Sequence, residues 1–382
     1  MVAKTGAFSL HRAGHIDWSL LFIVLAFLIL GLVMVYSASY GFALFETSPA
    51  YGQPTYFVKR QALFAGLGLV GLFFTSRLDY HWYQKRALLI LGLTMATLVG
   101  MMFFGQEVGG ARRWLSKGGS VQPSEFAVLG AIIYISVWLA SKGEEIRNIH
   151  LGLIPFSLIL GLMTALIMLQ PNFSTAILLA ATAIAIFFAA GADIRQLLIL
   201  LLFGSLVLPL VALVAHYPLE RLRLWLQGPF SAAYAEGFQL VQSLAALNKG
   251  GWFGVGLGQS QQKFILYAPH SDAILAIIGE ELGLAGSLFV LALYGLWTWR
   301  GLRIALQAPD TYGMLLAVGI VCWITFQAIL HVAVITASTP FTGNVLPFIS
   351  AGGSSLISCL AGAGILLNIS RQAKFRPQEG AQ

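Results

Sequence analysis

The sequence predicts an all-α polytopic membrane protein with about ten transmembrane helices, and its composition and its apolar runs support this prediction. Of the 382 residues, 58% are hydrophobic and only 10% are charged, whereas soluble domains carry about 25% charged residues. Apolar runs of about 18 or more residues recur, and each is long enough to cross about 30 Å of hydrocarbon as a helix. Too few charges are present to cover the surface of a water-soluble globule.

The apolar runs predict the order of the spans within a single domain, residues 1–382, because no polar linker divides the chain. A long loop, 216–271, separates the seventh and eighth spans, and a tail, 371–382, follows the tenth. The predicted spans lie near residues 18–36, 56–76, 87–104, 123–141, 151–169, 173–190, 196–215, 273–299, 311–336 and 347–369.

The distribution of Lys and Arg predicts the orientation in the membrane. With the N-terminus in the cytoplasm, the inner segments carry more Lys and Arg than the outer segments, as the positive-inside rule requires. The bias grows when the loop 216–271 is omitted, because long loops are translocated largely regardless of their charge. We therefore predict cytoplasmic N- and C-termini, an extracytoplasmic loop 216–271 and a cytoplasmic tail 371–382.

Four polar or glycine-rich stretches then fall on the predicted outer side: residues 109–126, 170–172, 216–271 and 338–355. ATP is not available on that side. The sequence also contains no glycine-rich phosphate loop that follows a strand and opens a helix. Any chemistry is therefore predicted at the outer surface and without a nucleotide.

Three cations in the first outer stretch, Arg112, Arg113 and Lys117, are candidate ligands for phosphate. One alternative is that they bind lipid headgroups, as basic residues at the interface often do. The other is a lipid that carries a diphosphate, because arginine forks match phosphate oxygens and the flanking glycines permit close approach of the backbone. The sequence leaves both alternatives open.

Three acidic residues near the predicted membrane boundaries have structural explanations. Glu125 follows Pro123 at the start of the fourth span, where the helix dipole favours a carboxylate and an outer arginine is within reach as a partner. Glu280 and Glu281 lie about two turns into the eighth span. Carboxylates at that depth are costly and face the bundle interior with a partner, so we interpret them as structural acids.

Asp272 lies where the outer loop meets the eighth span, beside His270 and Ser271. One interpretation is a helix N-cap, for which Asp and Ser are suitable residues. The other is a general base at the edge of the hydrocarbon, which takes a proton from a substrate hydroxyl. A site at that depth suits a substrate whose tail remains in the lipid.

The segment 238–249 predicts a helix that lies in the membrane interface, with Trp225 and Trp252 as interfacial anchors. Its polar residues fall largely on the other side of the helix. The face predicted to be apolar consists of Phe238, Val241, Leu244, Ala245 and Leu247. The loop 216–271 is therefore predicted to form a lid-like layer on the membrane surface.

Five groups of motifs occur in an order that resembles the SEDS family (shape, elongation, division and sporulation). The resemblance covers nearly the whole span region and is strongest to the cell-division branch, with the elongation and sporulation branches as alternatives. The motifs are "GARRWL" with "QPSEF", "LQPNFSTA", "GFQLVQSLAALNKGGWFGVGLGQSQQK", "HSDAILAIIGEELGLAG" and "LPFISAGGSSLIS". Ser271 stands where the family usually has threonine, and it keeps the hydroxyl group.

The resemblance implies a polymerase of lipid II, the undecaprenyl-diphosphate-linked disaccharide-pentapeptide, with Asp272 as the catalytic residue. It implies a class B penicillin-binding protein and other division membrane proteins as partners, whereas no nucleic acid is expected. A divalent cation, Mg or Mn, is compatible with the family, but the sequence shows no cluster of metal ligands. The proposed contacts to the diphosphate or sugars are Arg112, Arg113, Lys117, Gln122, Glu125, Gln259, Ser260, Gln262, Lys263, His270, Ser271, Ser354 and Ser355.

Two other classes of function remain open from the sequence. A flippase that moves lipid II across the bilayer explains the polytopic fold and the intramembrane acids Glu280 and Glu281 equally well. It does not explain why the polar residues with functional chemistry fall on one side. A scaffold without catalytic activity would tolerate loss of Asp272, which separates it from the enzyme.

Overall fold

A computed structural model describes residues 16–45, 52–108, 111–115, 121–215, 223, 225–226, 228 and 236–373. Most of these residues are helical. The helices are α1 (Trp18–Phe45), α2 (Tyr56–Arg77), α3 (His81–Lys85), α4 (Ala87–Phe104), α5 (Pro123–Lys142), α6 (Ile154–Met168), α7 (Phe173–Ala189), α8 (Ile194–Ala215), α9 (Glu236–Gly250), α10 (Ile274–Leu306), α11 (Thr311–Ile335) and α12 (Gly353–Gln372). Short helical turns cover Gly143–Arg147, Ile149–Leu153 and Gln262–Phe264.

The all-α polytopic architecture predicted from the sequence is confirmed. Among the described residues, α1, α2, α4, α5, α6, α10, α11 and α12 are long and apolar enough to cross a membrane, and Phe173–Ala189 and Ile194–Leu206 are shorter apolar helices. A small antiparallel hairpin, β1 (Gln106–Val108) and β2 (Ala111–Trp114), occupies part of the stretch that the sequence predicted as a loop. The count of ten spans stays a prediction.

The described ends of the chain lie at the same end of the helix bundle. The Arg300 guanidinium lies 2.7 Å from the Asp17 carboxylate, and the Asp17 N–H donates to the Ser370 hydroxyl over 3.2 Å. Asp17 precedes α1, whereas Ser370 lies in the last turn of α12. An even number of spans places both ends on one side, and the predicted cytoplasmic location of that side remains untested.

The centre of the bundle is formed by α5, α11 and α12, and α12 is buried along most of its length. Its small residues allow this packing: the β-carbon that an alanine would add at Gly362 would contact Ile320 and Trp323 of α11. By contrast, α2, α4 and α6 expose many large apolar side chains. Exposed apolar faces of this kind are the surfaces that a transmembrane bundle presents to lipid.

Helix α10 is broken at Gly283, whose backbone angles are φ 70° and ψ −166°. The predicted eighth span is therefore two helices. Residues 284–306 reach ~34 Å at ~1.5 Å per residue, which is enough to cross the hydrocarbon. Residues 274–281 form a short preceding helix in which every side chain is buried in the protein, so Glu280 and Glu281 lie at the end of this short helix and not within a continuous span.

The segment 251–256 supplies the backbone hydrogen bonds that the break in α10 leaves open. A break frees N–H and C=O groups, which cannot remain unpaired in a dry interior. The N–H groups of Leu284 and Ala285 donate to the carbonyls of Gly251 and Trp252, over 2.9 and 3.1 Å, and those of Val255 and Gly256 donate to the carbonyls of Glu280 and Glu281, over 3.0 and 3.1 Å.

Glycines make this contact sterically possible. A β-carbon at Gly250 would lie 1.8 Å from the Gly279 carbonyl oxygen, and one at Gly254, which has φ +80°, would lie 2.1 Å from the Glu281 carbonyl oxygen. Helix α9 therefore packs on the short helix 274–281 with its smallest residues facing inward. The glycine-rich sequence after α9 has a structural function at the break.

The predicted helix 238–249 is present within α9. Its buried positions are Leu240, Ser243, Ala246 and Gly250, while the predicted apolar face is partly or fully exposed. The Trp225 indole donates to the Ala337 carbonyl over 2.8 Å, and Trp252 is 71% exposed. These positions leave an apolar surface available to lipid, and the location of α9 in the interface stays a prediction.

Candidate active site

A cavity of about 320 Å³ opens at the end of the bundle where α2, α5, α7, α10 and α12 begin. This end lies opposite the contact between Asp17 and Arg300. The cavity is lined by Phe57, Arg60, Gln61 and Phe64 of α2, by Trp114, by Gln122 and Glu125, by Asn172, Ser174 and Thr175, by Tyr267, Ala268 and residues 270–272, by residues 343–345 and by residues 351–355.

Five helices begin at the cavity, and their N-termini contribute partial positive charge there. The first residues of these helices are Tyr56, Pro123, Phe173, Ile274 and Gly353. The N–H groups of a first helical turn have no partner within the helix, and the helix dipole places partial positive charge there. Phosphate groups bind at such positions.

Asp272 lies in the wall of this cavity and is partly exposed to it. Ala273 occupies the N-cap position of α10, so Asp272 lies one residue before the position that the N-cap interpretation gave it. One carboxylate oxygen of Asp272 lies 3.2 Å from the place that a β-carbon on Gly343 would occupy. The loop before α12 thus closes over one side of the carboxylate.

Two hydrogen bonds fix the backbone on the N-terminal side of Asp272. The Ser350 hydroxyl donates to the Ser271 carbonyl over 2.7 Å, and the Ala351 N–H donates to the His270 carbonyl over 2.9 Å. Ser271 and His270 both line the cavity, and their predicted contact with a substrate stays a prediction. The loop before α12 therefore holds the carboxylate from a segment about 80 residues later in the chain.

The His270 side chain is buried between two aromatic rings. Its ring centroid lies 4.2 Å from that of Phe57 and 5.4 Å from that of Phe42. Burial, and to a smaller extent the charge of Arg60, lowers the pKa of His270 to about 4. The imidazole is therefore neutral at neutral pH, and it contributes shape and polarity to the cavity without positive charge.

Four predicted contacts from distant parts of the sequence meet at one side of the cavity: Gln122, Glu125, Ser354 and Ser355. The Gln122 N–H donates to the Ser354 hydroxyl over 3.0 Å, which joins the beginnings of α5 and α12. Glu125 lies in the first turn of α5, as expected. The resemblance motifs that contain these residues therefore mark neighbouring parts of one site.

The cavity also contains polar residues that the sequence analysis did not assign to it. Arg60 is a cation of α2 at its cavity end, and Asn172, Ser174 and Thr175 open α7. The Asn172 amide donates to the Ser124 hydroxyl over 3.2 Å. An Arg on the predicted outer side runs against the usual charge bias, and the motif "LQPNFSTA" contains the other three residues, so the sequence held a signal for all four.

The three cations of the first outer stretch are only partly placed. Arg112 and Arg113 lie in β2, where Arg112 pairs with Glu107 in the backbone register, and Trp114 at the end of β2 lines the cavity. The side chains of both arginines, and the whole of Lys117, lie outside the described residues. Their predicted contact with a diphosphate stays a prediction.

The structure places Lys263 away from the cavity, in a buried ion pair. Its side chain is 3% exposed, and its ammonium lies 3.3 Å from a Glu281 carboxylate oxygen and 2.6 Å from the Gly258 carbonyl. Because this ammonium already balances a buried carboxylate, we leave Lys263 out of the proposed diphosphate site. Gln259, Ser260 and Gln262 likewise do not line the cavity.

The two structural acids bind the segment 260–262. Glu280 accepts from the Ser260 hydroxyl and from the N–H groups of Gln261 and Gln262, over 3.0 and 3.2 Å. Glu281 accepts from the Ser260 N–H over 3.3 Å and from the Ser37 hydroxyl over 2.7 Å. The acids therefore have partners inside the bundle and anchor the loop that leads to Asp272.

The donor set of the described residues does not form a metal site. Within these residues, no group of three or more His, Cys, Asp or Glu side chains is arranged to hold a metal ion. Asp272 and Glu125 share the cavity, but a third ligand of these types is not arranged with them. Among the described residues, Asp272 and Glu125 are therefore the carboxylates that the cavity offers to the divalent cation with which the family is compatible.

A family model described as "Cell cycle protein", for FtsW, RodA and SpoVE, matches residues 17–375. The chain belongs to the FtsW/RodA/SpoVE family. It is 39% identical over 363 residues to stage V sporulation protein E of Bacillus subtilis (strain 168), covering 94% of this chain and 98% of that protein. It is also 39% identical over 376 residues to a probable peptidoglycan glycosyltransferase FtsW of Trichlorobacter lovleyi, covering 97% of each chain.

Solved structures of FtsW/RodA/SpoVE relatives share this fold. One match, to a chain in the solved structure "Structural coordination of polymerization and crosslinking by a peptidoglycan synthase complex", has a TM-score of 0.77 at 26% identity and covers 93% of this chain and 98% of that one. The rod shape determining protein RodA of Thermus thermophilus matches with a TM-score of 0.65 at 25% identity, over 94% and 98% of the two chains.

Proposed function

We propose that this family member is a peptidoglycan glycosyltransferase that polymerises lipid II into β-1,4 glycan strands on the outer face of the bacterial cytoplasmic membrane. The observation that carries the proposal is the carboxylate of Asp272, which lies in the wall of a cavity at which five helices begin. The names of several relatives, probable peptidoglycan glycosyltransferase FtsW, support the same activity. We assign it to septal wall synthesis, with elongation as the alternative within the family.

In the proposed reaction, Asp272 removes the proton from the GlcNAc 4-hydroxyl of the acceptor. The oxygen attacks C1 of the donor MurNAc on the face opposite the diphosphate, so the α-linked donor becomes a β-1,4 linkage. The C1–O bond to undecaprenyl diphosphate breaks, and its electron pair leaves with the diphosphate. A diphosphate is a good leaving group, so the reaction does not require a strong general acid.

The charge of the departing diphosphate is stabilised by groups that are already oriented in the cavity. These groups are the backbone N–H groups at the helix N-termini and Arg60. Arg112, Arg113 and Lys117 are proposed as further cations from the adjacent loop. Fixed dipoles stabilise charge in a cavity more effectively than water does, because they need no reorganisation during the reaction.

A class B penicillin-binding protein is the proposed partner, together with other membrane proteins of cell division. One solved relative belongs to a peptidoglycan synthase complex that coordinates polymerisation and crosslinking. A partner that crosslinks strands as they leave the cavity would act on the same side of the membrane. We therefore propose that the cavity faces outward and that both chain termini are cytoplasmic.

Polymer formation by the purified chain tests the proposed function. The chain, with a class B penicillin-binding protein, is incubated with lipid II in detergent, and the products are separated by length. Glycan strands are expected. In parallel, fluorescent lipid II is placed in vesicles that contain the chain, and translocation is followed by quenching. Translocation without polymer would support a flippase and contradict the proposed function.

Substitution of Gly343 by alanine is expected to slow polymerisation, because the new β-carbon would lie 3.2 Å from an Asp272 oxygen. Gly343 also has φ +61°, so the substitution costs about 1–2 kcal/mol of backbone strain. Gly143→Ala is the matched control, since Gly143 has φ +53° and open space around its α-carbon. Equal loss of activity in both variants would show that strain alone acts and that proximity to Asp272 is irrelevant.

A further inference from the structure

The part of the cavity wall that faces Asp272, residues 343–345, has no regular secondary structure and is held by helix α11. Three hydrogen bonds make the connection. The Asn344 amide donates to the Gln327 carbonyl over 3.0 Å, the Gln327 amide donates to the Val345 carbonyl over 3.2 Å, and the His331 Nδ1 lies 2.6 Å from the Asn344 carbonyl oxygen. Gln327 and His331 are one helical turn apart, on the same face of α11.

We propose that His331 is a positioning residue, whose Nδ1–H holds the Asn344 carbonyl and so keeps the wall 343–345 against Asp272. For its effect on the reaction, this inference rests on the proposed function. His331 does not line the cavity, so it acts through the wall and not on a substrate. The established family relationship does not assign this role to it.

The chemistry of the contact determines which nitrogen is used. A carbonyl oxygen only accepts hydrogen bonds, so Nδ1 must carry the proton. The side chain of His331 is 0% exposed, and Nε2 has no hydrogen-bond partner among the described residues. Among the described residues, the ring therefore makes one hydrogen bond, to the carbonyl of Asn344, which lies between Gly343 and Val345.

Loss of this donor would leave the Asn344 carbonyl without its partner in a buried setting. A buried carbonyl without a hydrogen-bond partner destabilises the folded state by about 1–3 kcal/mol. A segment without regular secondary structure can avoid this penalty by shifting until the carbonyl finds another donor. Gly343 is next to Asn344, and a β-carbon on Gly343 would lie 3.2 Å from an Asp272 carboxylate oxygen, which is a tight contact. A shift of this wall would therefore change the space beside the catalytic carboxylate.

Asparagine and glutamine in place of His331 test whether Nδ1 is the nitrogen that holds the wall, because their amide groups reach different positions. In His331→Asn the amide nitrogen occupies nearly the position of Nδ1 and can donate to Asn344. In His331→Gln the amide lies farther out, near the position of Nε2. His331→Leu fills a similar volume without any donor. We expect polymerisation within about threefold of wild type for Asn, and a fall of about 10- to 100-fold in kcat for Gln and Leu, with KM for lipid II nearly unchanged.

A second measurement does not depend on enzymatic activity. Val345→Cys is introduced into a chain whose Cys322 and Cys359 are replaced by alanine, and its labelling rate by a water-soluble maleimide is measured in each His331 variant. A displaced wall changes this rate. We expect the wild-type and Asn rates to agree, and the Gln and Leu rates to differ from them by at least about threefold.

The outcomes separate this inference from the proposed function. If Gln and Leu match wild type in labelling and in kcat, His331 does not hold the wall and the inference is wrong. If Asn behaves like Gln, the position of the donor does not matter, and the inference is wrong as well. If the wild-type chain makes no polymer, the proposed function fails, while the labelling comparison still decides whether His331 holds the wall.

Discussion

Replacement of Asp272 with asparagine is expected to reduce the rate of lipid II polymerisation by about 10²- to 10⁴-fold, the usual contribution of a positioned general base. Asparagine has nearly the same shape as aspartate and cannot accept the proton of the GlcNAc hydroxyl. Ala273 occupies the N-cap position of α10, and asparagine keeps the size of the side chain, so we expect this helix to keep its start. Polymer formation is measured with the partner protein present and lipid II in excess.

The matched control for this experiment is Asp193→Asn. Asp193 is exposed, and its carboxylate accepts from the Arg195 N–H near the start of α8. Asparagine serves equally well at such a position. The control is therefore expected to polymerise at the wild-type rate, and full activity in Asp272→Asn would remove this carboxylate from the mechanism.

The second large effect is expected for stability: Lys263→Met should lower the free energy of unfolding by about 3–5 kcal/mol, because it leaves a buried charge without its partner. Glu281 is fully buried and lies beside Glu280, which is also fully buried. With Lys263 removed, hydroxyl and N–H donors remain near Glu281, but its cationic partner is lost. Unfolding of the purified chain is followed by tryptophan fluorescence during heating and during denaturant titration.

A neighbouring lysine provides the control. Lys249 lies 3.8 Å from the buried Glu280, but its own side chain is 38% exposed, so water screens its charge more than that of Lys263. Without Lys249, Glu280 still accepts hydrogen bonds from residues 260–262. Lys249→Met should therefore change stability little. The double variant Lys263→Met, Glu281→Gln removes both charges and should recover more than half of the loss. Equal stability of Lys263→Met and Lys249→Met would contradict the importance of the buried pair.

Much of the fold follows from patterns that are local in the sequence. Each predicted span overlaps a helix, although the eighth is broken at Gly283 and the tenth begins only at Gly353. The position of Asp272 between a polar loop and an apolar run indicated a carboxylate at the edge of the hydrocarbon. The resemblance motifs brought His270, Ser271, Ser354 and Glu125 to one site, and all four line the cavity. These agreements reflect features that each depend on a few adjacent residues.

The features that were missed depend on pairing between distant residues. The sequence around Gly283 was predicted as one span despite Glu280 and Glu281, because nothing within it shows that the segment 251–256 supplies the hydrogen bonds of a break. Lys263 was assigned to the diphosphate because it is a cation in an outer loop, yet its partner, Glu281, lies 18 positions later. The glycines after α9 were the available signal, since close backbone approach requires them.

The break in α10 has a consequence for biogenesis. Unpaired backbone groups are very costly in hydrocarbon, and the groups at Gly283 find partners only when the segment 251–256 is in place. We therefore expect the break at Gly283 to form only once α9 and its following glycines have docked. This docking would also set the position of the short helix 274–281, which begins directly after Asp272 and Ala273.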